Sequence, residues 1–206
     1  MKEEEIQDEL VSIRKLMERS SKFISLSGLS GILAGVYALI GAGIAYCLVY
    51  SGTSRVYTRL NIHTDPTILY DLIAVAVLVL LISLVSGMIL TNIKAKKNGQ
   101  PIWGKVSRAL LFHMATPLVT GGILILIFLF RGYYGIVSST SLIFYGLSLV
   151  SASNFTFTDV KYLGLCEIVL GLIAACLPGY GLLFWAIGFG LLHIVYGSMM
   201  YFKYDR

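Results

Sequence analysis

Charge is what this sequence has least of. Only 13% of its 206 residues are Asp, Glu, Lys or Arg, against about 25% in a soluble domain. Apolar residues make up 57% and the mean hydropathy is +0.81. The few charges gather in the N-terminal tail and in loops, so long runs are almost empty of them. This pattern excludes a soluble globular enzyme and leaves no room for a separate soluble domain. It is the composition of a polytopic membrane protein.

Cysteine is scarce too. Cys47, Cys166 and Cys176 fall in apolar runs with no CxxC spacing, where cysteine behaves as a small apolar residue. Also missing are a phosphate-cradling glycine loop, a GxSxG or HExxH signature and any H-x-x-x-H or E-x-x-H pair. These absences weigh against an ATPase, a hydrolase and a local metal motif. No broken-helix pair recurs in matching halves, so an inverted-repeat transporter is not indicated either. The opening residues are charged and lack the apolar core of a cleavable signal, so the first span is expected to act as its own insertion signal.

What the sequence does have is six apolar runs of the length a membrane-crossing helix needs, about 20 residues. They lie near 24–50, 68–92, 107–130, 133–152, 161–177 and 181–202. Continuous apolar runs predict helices, because barrel strands would alternate. The fold class is therefore all-α, a six-span transmembrane bundle occupying residues 23–206. Basic residues orient it. With the N-terminus inside, five basic residues of the tail (Lys2, Arg14, Lys15, Arg19, Lys22), five around the loop 94–108, and Lys161, Lys203 and Arg206 are cytoplasmic. Only Arg55, Arg59 and Arg131 are outside, so the positive-inside rule places both termini in the cytoplasm.

Residues 1–22 read as a cytoplasmic amphipathic helix. Ile6, Leu10, Ile13 and Met17 follow helical spacing on one face, with acidic residues first and basic residues last, as the helix dipole favours. Such a helix lies on the inner membrane surface or docks a partner subunit. The basic loop 94–106 is a second docking candidate. The net charge of +5 belongs to this membrane orientation and points to no nucleic-acid partner. The implied partners are the lipid bilayer and a further copy or partner subunit.

Ionisable groups inside spans are costly and face the bundle or a cavity. Three qualify: His113, Glu167 and His193. Counted from the inner ends of their runs at 1.5 Å per residue, they lie roughly 9–13 Å deep, in the cytoplasmic half. His113 shares a stripe with Thr116, Pro117 and Thr120; Glu167 with Gly164, Gly171 and Ala174; His193 with Gly190, Tyr196 and Gly197. Small residues beside a polar one mark close helix–helix contacts in lipid, so spans three, five and six are expected to converge.

That trio admits three readings. It forms a proton- or ion-handling site of a small transporter, lined also by Thr116, Thr120 and Tyr196, since carboxylate and imidazole exchange protons near neutral pH. Or His113, Glu167 and His193 hold a metal, helped by Met88, Met114, Met199 and Met200, or the two histidines ligate haem. Or the groups are interhelical glue, with Glu167 paired to Arg108 and His193 bonded to Tyr196 or a serine of span four. No cofactor is firmly implied. Asp71, near the outer end of span two, forms an outer-mouth cluster with His63 and Asp65 or is simply solvated with the loop, and Gly28, Gly31 and Gly35 of span one read as a packing face.

The runs "MERSSKFISLSGLSGILAGVYALIGA" and "GFGLLHIVYGSMMYFKY" resemble a family of small bacterial inner-membrane proteins with no assigned activity. The resemblance implies a bacterial cytoplasmic membrane and supplies no site residues. The rival to solute handling is a non-catalytic scaffold or sensor subunit acting through residues 3–22 and the loop 94–106.

Overall fold

A computed structural model describes residues 27–50, 66–97 and 103–205 of the chain. The expected helix of residues 1–22, Arg55, Arg59, His63, Asp65 and residues 98–102 of the basic loop lie outside the described residues. Within them the chain is helical and contains no strand. The helices are α1 (Gly28–Tyr50), α2 (Pro66–Lys97), α3 (Lys105–Phe130), α4 (Val137–Ala152, after a 3-10 turn Tyr134–Ile136), α5 (Asp159–Cys176) and α6. The last is composite: Gly181–Trp185 is α-helical, Ala186–Leu192 π-helical, His193–Met200 α-helical and Tyr201–Asp205 π-helical again.

Five of these helices are long and apolar enough to cross a membrane: α1, α2, α3, α4 with its preceding turn, and α6. α5 stands apart because its 18 residues carry Asp159, Lys161 and Glu167. The observed bounds also correct the expected runs. α2 continues to Lys97 and α5 begins at Asp159, because a helix projects past the apolar stretch into the polar layer that its charged ends prefer.

The helices α3 to α6 are joined by short turns. Gly132 and Gly179 supply the turns α3–α4 and α5–α6 with φ of 77° and 96°, a left-handed conformation that other residues enter only under strain. Packing follows small residues. Gly146 of α4 and Gly164 of α5 face one another so closely that a Cβ on either would meet the other's carbonyl oxygen at 2.6–2.7 Å. Further along, Gly171 of α5 lies against Leu142 and Ile143 of α4, so the pair runs antiparallel. Gly31 and Gly35 of α1 meet Gly197 and Gly190 of α6 in the same way, and Gly28 meets Tyr201. The expected packing face of α1 is thus used in full, against α6.

The resulting order is α2, α1, α6, then the α4–α5 pair, with α3 against α4. α2 and α3 are the edges: none of the most apolar 18-residue stretch of α2 is buried, and 6% of that of α3. The centre is where α4, α5 and α6 meet. If glycine approach holds that centre together, Gly164→Ala will lower stability by about 1–3 kcal/mol, the usual cost of overpacking. Thermal melting in detergent checks this. Gly122→Ala, whose added Cβ meets nothing within 4 Å, should leave the melting temperature unchanged or slightly raised.

Candidate functional site: a buried carboxyl beside a histidine

On α5, Gly164, Glu167, Gly171 and Ala174 recur at helical spacing and all are buried. The glycines let α5 lie on the backbone of α4, and this draws Glu167 into the centre with an exposure of 0%. Its carboxyl rests on α6. A Cβ on Gly188 would meet Glu167 Oε2 at 2.5 Å and Leu142 Cδ2 at 2.5 Å, so only glycine leaves space for the carboxyl here.

Gly188 lies inside the π-helical stretch, which ends where His193 begins. π-helical turns are uncommon and cluster at functional sites. His193 is 7% exposed and its ring is held at both nitrogens. Nδ1 is 3.0 Å from the Gly188 carbonyl oxygen and Nε2 is 2.7 Å from the Tyr145 hydroxyl of α4. A carbonyl only accepts, so Nδ1 carries the hydrogen. In the neutral ring Nε2 then accepts, and Tyr145 donates to it. Phe189 flanks both rings, with centroids 5.0 Å from Tyr145 and 6.0 Å from His193.

Glu167 Oε1 stands 3.5 Å from His193 Nδ1. That is close for an ionic interaction and long for a hydrogen bond, and the single Nδ1 hydrogen is already directed at Gly188. Both carboxyl oxygens are buried with no hydrogen-bond partner among the described residues. Isolated ionised carboxylates are not tolerated in an apolar interior. The charge of the site is balanced in one of two ways. Glu167 carries a proton beside a neutral imidazole, or a carboxylate faces an imidazolium. One proton separates the second state from a bare anion.

The structure therefore brings together two of the three expected residues and adds Tyr145, which no sequence pattern singles out. His113 is elsewhere. It is exposed on α3, where its ring stacks on Phe155 with centroids 4.7 Å apart. Thr116 and Thr120 are exposed on the same helix and donate to the carbonyls of Phe112 and Thr116, the local bonds that hydroxyls make in helices. The stripe of α3 faces outward because α3 is an edge helix. Two further expectations are corrected. Arg108 is exposed rather than paired with Glu167, and His193 bonds Tyr145 of α4 instead of Tyr196 or a serine. The Tyr196 hydroxyl is buried without a hydrogen-bond partner among the described residues.

Along their helices, Glu167 is eight residues from Asp159 and nine from Cys176, and Tyr145 is eight from Val137 and seven from Ala152. Both are roughly 12 Å from either end of their helices; the roughly 9 Å expected for Glu167 counts from residue 161, whereas α5 begins at Asp159. Among the described residues no three His, Cys, Asp or Glu side chains converge to hold a metal ion. His113, exposed on α3, and His193, buried on α6, therefore do not gather with Glu167 as one metal site. Asp71 is exposed near the start of α2.

A second polar cluster closes the end of the bundle where α5 begins and α6 finishes. Asp159 Oδ2 accepts from Lys203 Nζ at 2.6 Å and from the Tyr204 hydroxyl at 2.9 Å. Tyr204 stacks on Phe157, and Lys94 of α2 lies over that ring at 5.7 Å. The hydrogen bond from Lys203 is the main cause holding the Asp159 carboxyl below the usual carboxylate range. Partial burial works against it, and Tyr204 adds to the lowering.

Compared with known proteins, the chain matches no family model, no curated protein and no solved structure.

Two outcomes follow. Tyr145→Phe leaves Nε2 of His193 without its donor and should cost about 1 kcal/mol, read by thermal melting. Because the Asp159 carboxyl is lowered in the fold, its contribution is present above the ordinary value near pH 4 and is lost as pH falls through the lower folded value. Lys203 is exposed and Asp159 half-buried, so solvent screening keeps the loss small. Asp159→Asn should match wild type at acid pH and melt slightly lower at neutral pH.

Proposed function

We propose that the chain is an integral protein of a bacterial cytoplasmic membrane, spanning it six times with both termini inside. In this reading Glu167 and His193 form a proton-exchanging centre through which it handles a small solute or ion. The single observation that carries the functional part is the fully buried Glu167 carboxyl, without a hydrogen-bond partner among the described residues, 3.5 Å from a histidine whose other nitrogen is bonded to Tyr145. Buried ionisable groups at the middle of membrane helices mark ion and proton pathways.

The six-span part is supported by α5 being as deeply packed as its neighbours. It lies antiparallel to α4 and α6, and its charges fall at one end except for the buried Glu167. The inside-facing end is supported by charge: Lys94, Lys96, Lys97, Lys105, Arg108, Lys161 and Lys203 belong to that end, and Arg131 to the other. The resemblance to small bacterial inner-membrane proteins agrees with this placement.

Proton exchange is tested by infrared titration of the full chain in lipid nanodiscs. The expected result is a carbonyl stretch of a buried carboxylic acid that loses amplitude as pH rises and is missing from Glu167→Gln at every pH. A wild-type spectrum without such a titrating band would defeat the reading. So would a band that survives in Glu167→Gln.

A further inference from the structure

One end of the bundle gathers cations that the bundle does not neutralise. Lys96 and Lys97 finish α2, Lys105 and Arg108 open α3, and Lys161 lies in the first turn of α5. All five are exposed, and none makes an ion pair among the described residues. Ring contacts hold these helix ends together. Lys94 of α2 lies over Phe157, and His113 of α3 stacks on Phe155 of the same turn. The acidic residues of that end are Asp159, already bonded to Lys203 and Tyr204, and Asp205.

The N-terminal segment joins the bundle at the same place. Gly28, where α1 begins, lies against Tyr201 of α6. Tyr204, three residues on, stacks on Phe157, the ring beneath Lys94. Ahead of Gly28 the sequence is polarised. Glu3, Glu4, Glu5, Asp8 and Glu9 are five of the chain's 11 acidic residues, and Lys2 is the single cation beside them. The basic residues Arg14, Lys15, Arg19 and Lys22 are not spaced to neutralise them. None is three or four positions from an acid of this stretch, the spacing at which charges pair on a helix, whereas Glu18 has that spacing to Arg14, Lys15 and Lys22.

Reach is sufficient. Glu9 precedes Gly28 by 19 residues, a span of ~28 Å if helical and at most ~65 Å if extended. In the order of the bundle α2 is next to α1, and α3 lies beyond α6 and α4. At about 8–10 Å between helix axes, every cation of this end is within that span.

We propose that the acidic stretch from Glu3 to Glu9 docks on the rim formed by Lys96, Lys97, Lys105, Arg108 and Lys161, so that the chain covers its own cationic end. The inference does not depend on proton exchange at Glu167. Single pairs of exposed charges contribute little, so the contact rests on several acting together. It is accordingly sensitive to salt, because the Debye length falls from about 10 Å at 0.1 M to about 3 Å at 1 M.

Carbodiimide cross-linking tests this in the full chain, at one chain per phosphatidylcholine nanodisc, because it joins a carboxylate directly to a lysine amine. Mass spectrometry should find residues 3–9 joined to Lys96, Lys97, Lys105 or Lys161, with yields about tenfold lower at 1 M than at 0.1 M salt. Lys96→Gln combined with Lys97→Gln should lower the links to Lys105 and Lys161 and leave the melting temperature unchanged, since both side chains are exposed. Residues 3–9 linked only to Lys2, Lys15 or Lys22, or not linked at all, overturn the docking and leave the rim to solvent or lipid headgroups. Rim links that ignore salt, or that persist at Lys105 and Lys161 in the double variant, overturn it as well.

Discussion

Direct approach of one helix backbone to another is the constraint from which the rest of this structure follows. In lipid, apolar side chains gain nothing by leaving the hydrocarbon for each other, so helices associate where small residues let backbones touch. Gly146 and Gly164 do this for α4 and α5, and Gly31, Gly35, Gly190 and Gly197 do it for α1 and α6. Each contact also fixes a chemical group. Tyr145 is adjacent to Gly146, Glu167 is one turn beyond Gly164, and His193 lies between Gly190 and Gly197. Bringing glycines together at two interfaces sets the side chains of Tyr145, Glu167 and His193 at one level.

The π-helical stretch completes that arrangement. In an α-helix, residues five apart are separated by roughly 140° around the axis, so His193 and Gly188 would point in different directions. The i to i+5 register stacks them. The imidazole can then cap the Gly188 carbonyl while the missing side chain of Gly188 admits the Glu167 carboxyl. Widening one turn thus orients the ring, defines its tautomer and brings Nδ1 to within 3.5 Å of Oε1.

Much of this was legible in the sequence. The helical class, the positions of the runs and the small-residue stripes around Glu167 and His193 follow from periodicity and composition, and those stripes identified the faces that are buried. The failures have physical causes. His113 has the same kind of stripe, but Thr116 and Thr120 satisfy their hydroxyls on their own helix and need no neighbour. A polar stripe therefore does not distinguish an edge helix from a central one. Tyr145 sits in an apolar run, where tyrosine is chemically ambiguous until its hydroxyl finds a partner. The π-helical register has no sequence signature, and the depth of Glu167 depended on where α5 begins, which charged end residues blur.

An unpartnered carboxyl is a poor way to stabilise a bundle. Glue residues satisfy their polar atoms, as Ser148 does by donating to the Met114 carbonyl across α3 and α4 at 3.0 Å. Glu167 has no such partner among the described residues, although an apolar side chain of similar volume would fill the same space without the cost of a stranded polar group. The neighbouring imidazole has its own partners and would keep its place without the carboxyl. Structural economy therefore explains His193 and Tyr145 but not Glu167. A group that is costly to bury and one proton away from a bare anion fits the proposed exchange better than a role as interhelical glue.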